Sequence, residues 1–138
     1  MAYFIGLLWM AGAAFMSWKA VQLWRDADLV DFFLTAFAVL PFGQEVKRGE
    51  VRALGVTAIF LWAITPLVLL GTLDAEMTDA QAAIVLVAVV TLLACLACEF
   101  SIILFNMPAF IVPPHMRSDL GTVTLWRARR AHNKFGRR

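Results

Sequence analysis

Apolar and polar positions along this chain fall into long blocks, and neither the alternation of a soluble strand nor the one-sided stripe of a soluble helix describes them. Residues 80–98 form a run of nineteen without a single charge, long enough to cross a bilayer as a helix. The 53–73 block is also uncharged, and the 2–24 block has Lys19 as its only charge. The pattern predicts three transmembrane helices over about 2–24, 53–73 and 80–105. Two shorter apolar pieces do not fit whole spans. Residues 29–42 are too few to cross and end at the helix stop Pro41-Phe42-Gly43. Asp28, Asp31 and Thr35 share a narrow face of that segment, so it should lie flat in the membrane interface or dip in as a re-entrant piece. Residues 100–114 continue apolar past an exit placed near Glu99, with a bend expected at Pro108 and a stop at Pro113-Pro114. The expected fold is all-α: one polytopic membrane domain over 1–138, with three transmembrane helices plus one or two short interfacial helices on the cytoplasmic side.

Local signals sharpen these boundaries. Thr78-Asp79-Ala80-Gln81 reads as a capping box, with Asp79 at the positive end of the helix dipole. Pro66, inside the second span, cannot donate to the carbonyl of Trp62 and predicts a kink there. Thr65 and a neighbouring helix are the expected donors to that freed carbonyl. Tyr3 and Trp24 suit the two headgroup levels of the first span. That span lacks the basic start and the small-residue cleavage site of a signal peptide, and reads as a retained helix.

Composition supports the membrane reading. The chain is 62% hydrophobic with mean hydropathy +0.78, against about 45–50% apolar residues in soluble domains. Charge then sets the expected orientation. Arg25, Lys47, Arg48 and Arg52 lie in the first connection. The last 22 residues hold seven bases and one acid, Asp119, whereas the second connection holds only Asp74, Glu76 and Asp79. The positive-inside rule places the N-terminus outside and the basic tail, 115–138, in the cytoplasm. The expected location is a bacterial cytoplasmic (inner) membrane.

Candidate chemistry is sparse. Gly6, Ala13, Ser17 and Ala20 fall near one face of the first span, the kind of small-residue stripe that lets helices approach in lipid. Thr91, Cys95, Glu99 and Asn106 share a face of the third. Glu99 is the one carboxylate in a predicted span, and Lys19 sits at a similar depth in the first. An intramembrane charge needs a partner, so a Lys19–Glu99 ion pair is expected, in which Glu99→Gln is damaging and Lys19→Met partly rescues it. Cys95 and Cys98 read as small packing residues, and His115 and His132 stand apart from any ligand set, so no metal and no cofactor are expected. No nucleophile, phosphate-loop or paired-carboxylate motif is present, and no enzymatic activity is expected. Arg127, Arg129, Arg130, Lys134, Arg137 and Arg138 should hold the tail against anionic headgroups or a partner, each worth about 1 kcal/mol at an anionic leaflet. Nucleic acid is not an expected partner.

The partners expected are the lipid bilayer and other membrane-protein subunits, or further copies of the chain. The leading expectation is an accessory or assembly subunit of a larger membrane complex, acting through helix–helix contacts. The layout of three spans, outward N-terminus, inward C-terminus and basic tail resembles the three-span phage holins. That resemblance covers the layout of the whole chain and no residue motif, and it implies self-association into membrane lesions. A transporter or channel subunit is a third expectation, resting on Glu99 and Pro66 without an inverted repeat.

Overall fold

The computed structural model describes residues 2–39, 41–71 and 77–135, the side chains of 2, 3 and 133–135 excepted. Expectations placed on Asp74, Glu76, Arg137 and Arg138, and on the side chains of Tyr3 and Lys134, lie outside the described residues. All regular structure among those residues is helical. In order the helices are α1 (Ala2–Arg25), α2 (Leu29–Ala36), α3 (Gln44–Leu70), α4 (Asp79–Phe105) and α5 (Thr122–Phe135), with single 3-10 turns at Phe37–Val39 and Pro114–Met116. Three of them, α1, α3 and α4, are long and apolar enough to cross a membrane.

The helix α3 is the central element, with α1 packed on one side and α4 on the other. Its burial follows from that place. Val51, Ala53, Leu54, Val56, Ala58 and Thr65 are all buried, whereas α4 of equal length buries only Ala88, Cys95 and Ile102. Those three recur every seven residues, the spacing of a left-handed helix–helix seam. Gly6, Ala13 and Ala20 repeat at the same interval on α1, with Gly6 and Ala13 buried and Ala20 half-buried. The remaining faces of α1 and α4 are apolar and open: Phe4, Leu7, Leu8, Leu86, Val87 and Leu93 are each more than 60% exposed. A soluble monomer rarely exposes so continuous an apolar surface.

Helix boundaries follow local chemistry. The capping box of α4 is formed: the Gln81 N–H donates to Thr78 Oγ1 at 3.3 Å and the Thr78 N–H to Gln81 Oε1 at 2.9 Å. The start of α3 differs from expectation. The helix begins at Gln44, nine residues ahead of the apolar block. The charges of 45–52 end the hydropathy signal without ending the helix, because Glu, Lys, Arg and Val are all compatible with one. With 27 residues, α3 and α4 each run about 40 Å, more than the ~30 Å hydrocarbon layer. Each therefore projects beyond an apolar slab.

The chain after α4 also differs. Asn106 adopts a left-handed conformation (φ 57°) and ends the helix. Pro108 follows two residues later in irregular chain, so it kinks no helix. The segment 106–121 is a loop with one 3-10 turn, in place of a second interfacial helix. It folds back onto the bundle and buries Val112 and Met116 fully. These join Leu23, Val30, Phe33, Val51, Leu54, Cys95 and Ile102 in the main core. That core lies at the end where α1 and α4 finish and α3 begins. Val30 and Phe33 anchor α2 there, while Asp28, Asp31 and Thr35 face outward.

Candidate functional site

Polar side chains inside the long helices are held by specific partners. Glu99 on α4 accepts from Thr57 Oγ1 on α3 at 3.0 Å, and the same hydroxyl lies 3.3 Å from its own helix carbonyl at Ala53. Glu50, also half-buried, lies seven residues before Thr57 on α3. The structure does not bring Lys19 to Glu99. Lys19 Nζ donates to Gln22 Oε1 at 3.1 Å and sits within 6 Å of the Phe15, Trp18 and Phe32 rings. The cause is the helix order: α3 stands between α1 and α4, so equal depth along the axis does not produce contact. Lys19 thus answers to aromatic faces and a local amide, a favourable setting for a cation, and Glu99 to a hydroxyl.

The small residues of α1 face α3. A Cβ on Gly6 would come within 2.8 Å of Leu69 Cδ2. Ala13 is 1% exposed, and Ser17 Oγ accepts from Trp62 Nε1 at 2.9 Å while donating to Ala13 O. Near Pro66 the neighbouring helix does supply a donor, but one residue earlier than the freed carbonyl. Trp9 Nε1 and Thr65 Oγ1 both donate to Leu61 O at 3.1 Å. Between α3 and α4, Trp62, Ala63, Pro66, Ala83, Ala88 and Thr91 are among the residues that line an open groove of about 470 Å³. The Thr91 hydroxyl there bonds only its own helix, at Val87 O. Of the four residues proposed to share a face of the third span, Cys95 is in the seam, and Thr91 and Glu99 flank it half-buried. Asn106 does something else: its Nδ2 reaches the carbonyls of Met116, Arg117 and Asp119 at 3.4, 3.1 and 2.7 Å, tying the loop to the end of α4.

The tail is docked through its first half. Gly121 packs directly on the α4 terminus, Thr122 Oγ1 donates to Ile103 O at 2.9 Å, and Arg129 Nη1 lies 2.7 Å from Glu45 Oε1. Arg130 stacks 4.1 Å over the Trp126 ring, and Arg127 is exposed. Among the described residues no three Asp, Glu, His or Cys side chains gather where a metal could be held. Sequence reasoning did not find Thr57, Arg52 or Gly121 as structural keys. Thr57 was the detectable one, one of three threonines in an otherwise apolar block; burial of Arg52 depends on a loop 68 residues away. Comparison with known families, characterised proteins and solved structures finds no match to this chain.

Proposed function

We propose that the chain is an integral membrane protein that acts through helix–helix contacts as an accessory or assembly subunit of a larger membrane complex. The carrying observation is the α3–α4 groove beside Pro66, where Ala63, Ala83, Ala88 and Thr91 lie among the larger Ile59, Trp62, Ile84 and Val87. In lipid an apolar surface alone attracts nothing, because acyl chains are as apolar as leucine. Small residues that admit a close backbone, with a polar group at the edge, are what make a helix–helix contact favourable. The occupant proposed is a transmembrane helix of another subunit. The proposed placement is a cytoplasmic membrane with the N-terminus outside and the basic tail inside, supported by Arg25, Lys47, Arg48 and Arg52 at the same bundle end as the tail.

The test is mild detergent extraction of the tagged chain, with identification of what co-purifies. A stoichiometric second membrane protein is expected. Ala83→Phe, which fills the groove from the exposed side of α4, should release that partner while the chain remains folded. Recovery of a lone monomer from native membranes overturns the subunit reading. Recovery as a large homo-oligomer, with abrupt collapse of membrane potential on expression, replaces it with self-association into lesions.

A further inference from the structure

The bundle end where α3 begins carries a cleft of about 410 Å³, walled by α3, the loop at 118–120 and α5. Arg48, Arg52 and Arg129 line it together with Glu45 and Asp119. Each carboxylate already has an arginine: Arg48 Nε lies 3.6 Å from Asp119 Oδ2, and Arg129 Nη1 lies 2.7 Å from Glu45 Oε1. Arg52 is left over. It is 2% exposed, its Nη1 donates to Leu120 O at a long 3.3 Å, and its buried Nε meets no acceptor. A guanidinium does not shed its proton, so the cleft holds three fixed positive charges against two negative ones. A buried guanidinium with an unmet N–H and only a shared carboxylate nearby gains from an anion that joins it.

We propose that this cleft binds a phosphate group, with Arg52 as its fixed floor and Arg48 and Arg129 as its movable walls. The side chains of Arg48 and Arg129 are 54% and 66% exposed, and both can turn from their carboxylates to an incoming anion at little cost, since exposed pairs are weak. Planar guanidinium forks match phosphate oxygens in pairs, and charge-assisted bonds of this type are the strong ones. Gln44, the first residue of α3, lies on the same wall, where the positive end of the helix dipole adds to the field. Arg52 immediately precedes the uncharged 53–70 run, which sets the cleft at headgroup depth under the membrane reading above. Two sources of the phosphate therefore exist: the monoester of an anionic lipid and the free ion. Only the lipid source rests on membrane insertion; the chemistry of the cleft does not.

The test uses the purified full chain in detergent. Thermal unfolding and lipid adducts by native mass spectrometry are followed with phosphatidic acid, with phosphatidylcholine, and with inorganic phosphate against chloride at equal ionic strength. Phosphatidic acid is expected to raise the unfolding midpoint and to survive as a one-to-one adduct, and phosphatidylcholine to do neither. Protection by inorganic phosphate alone assigns the free ion as the ligand; protection by both assigns the shared group. Because Arg52→Gln can prevent folding, the deciding variants are Arg48→Gln and Arg129→Gln, each expected to weaken binding about ten-fold. Equal indifference to phosphatidic acid and phosphate, or full binding by both variants, overturns the proposal. These readouts are made on the isolated chain, so they succeed or fail independently of whether a partner subunit is found.

Discussion

The Glu99→Gln replacement keeps an oxygen where the Thr57 hydroxyl points and removes a half-buried negative charge beside the α3–α4 seam. Stability should hold level or rise by up to about 1 kcal/mol, the scale of one net hydrogen bond. Double-mutant cycles by thermal unfolding separate the two pairings. Thr57→Val with Glu99→Leu should show coupling of about 1 kcal/mol, and Lys19→Met with Glu99→Leu none beyond ~0.5 kcal/mol. Coupling to Lys19 above that level would contradict the helix order. Glycines give a second contrast. A Cβ on Gly121 meets backbone, Leu104 O and Phe105 C and Cα, whereas one on Gly6 meets only the tip of the Leu69 side chain. Backbone cannot swing aside, so Gly121→Ala should cost about 2–3 kcal/mol and Gly6→Ala less than about 1.5 kcal/mol. Glu99 was visible in the sequence as a carboxylate at the end of an apolar run. Its partner was not, because depth along a helix axis leaves rotation and neighbour order undetermined.

At the scale of elements, Asn106 joins α4 to everything after it. One side-chain amide serves three loop carbonyls from a left-handed position. Asn106→Ala strips those bonds and should destabilise by about 1–3 kcal/mol, plus part of the cost of a left-handed alanine. Hydrogen exchange should then rise across 106–121 and into α5, with α1 and the far half of α4 unchanged; uniform acceleration over all helices would contradict a local tie. Three long helices were legible because lipid-length apolar blocks need no tertiary information, and the α4 start because its cap is local. The first turns of α3 were hidden by their charges, and the 106–121 loop by its apolar composition. Proline positions marked a break there, but only the fold shows that Val112 and Met116 turn inward under the break. The heptad seams were half legible: Gly6, Ala13 and Ala20 stood out as small residues, while Ala88 and Ile102 were two among many apolar residues of α4.

For the whole molecule, antiparallel order places Arg25, the start of α3, the end of α4 and α5 at one end, and the first turn of α4 at the other. The described bases beyond α1 all lie at the first end, while Asp79 marks the second. In the proposed orientation, the first end faces a cytoplasmic leaflet whose anionic lipid would attract its bases, as the positive-inside rule expects. Single-cysteine labelling in intact cells tests this. With Cys95 and Cys98 replaced by alanine, Met77→Cys should react with a membrane-impermeant maleimide added outside, since Met77 is 62% exposed just before α4. Ala131→Cys, exposed on α5, should react only after the membrane is opened. Both sites reacting from outside, or neither site after opening, would contradict a single membrane crossing between them. The opposite pair of results inverts the orientation but keeps the spans, and would carry the arginine cleft to the outer leaflet with it. Helix order, charge placement and the proposed phosphate site are thus tied to one geometric fact: the ends of α1 and α4 and the start of α3 share a side.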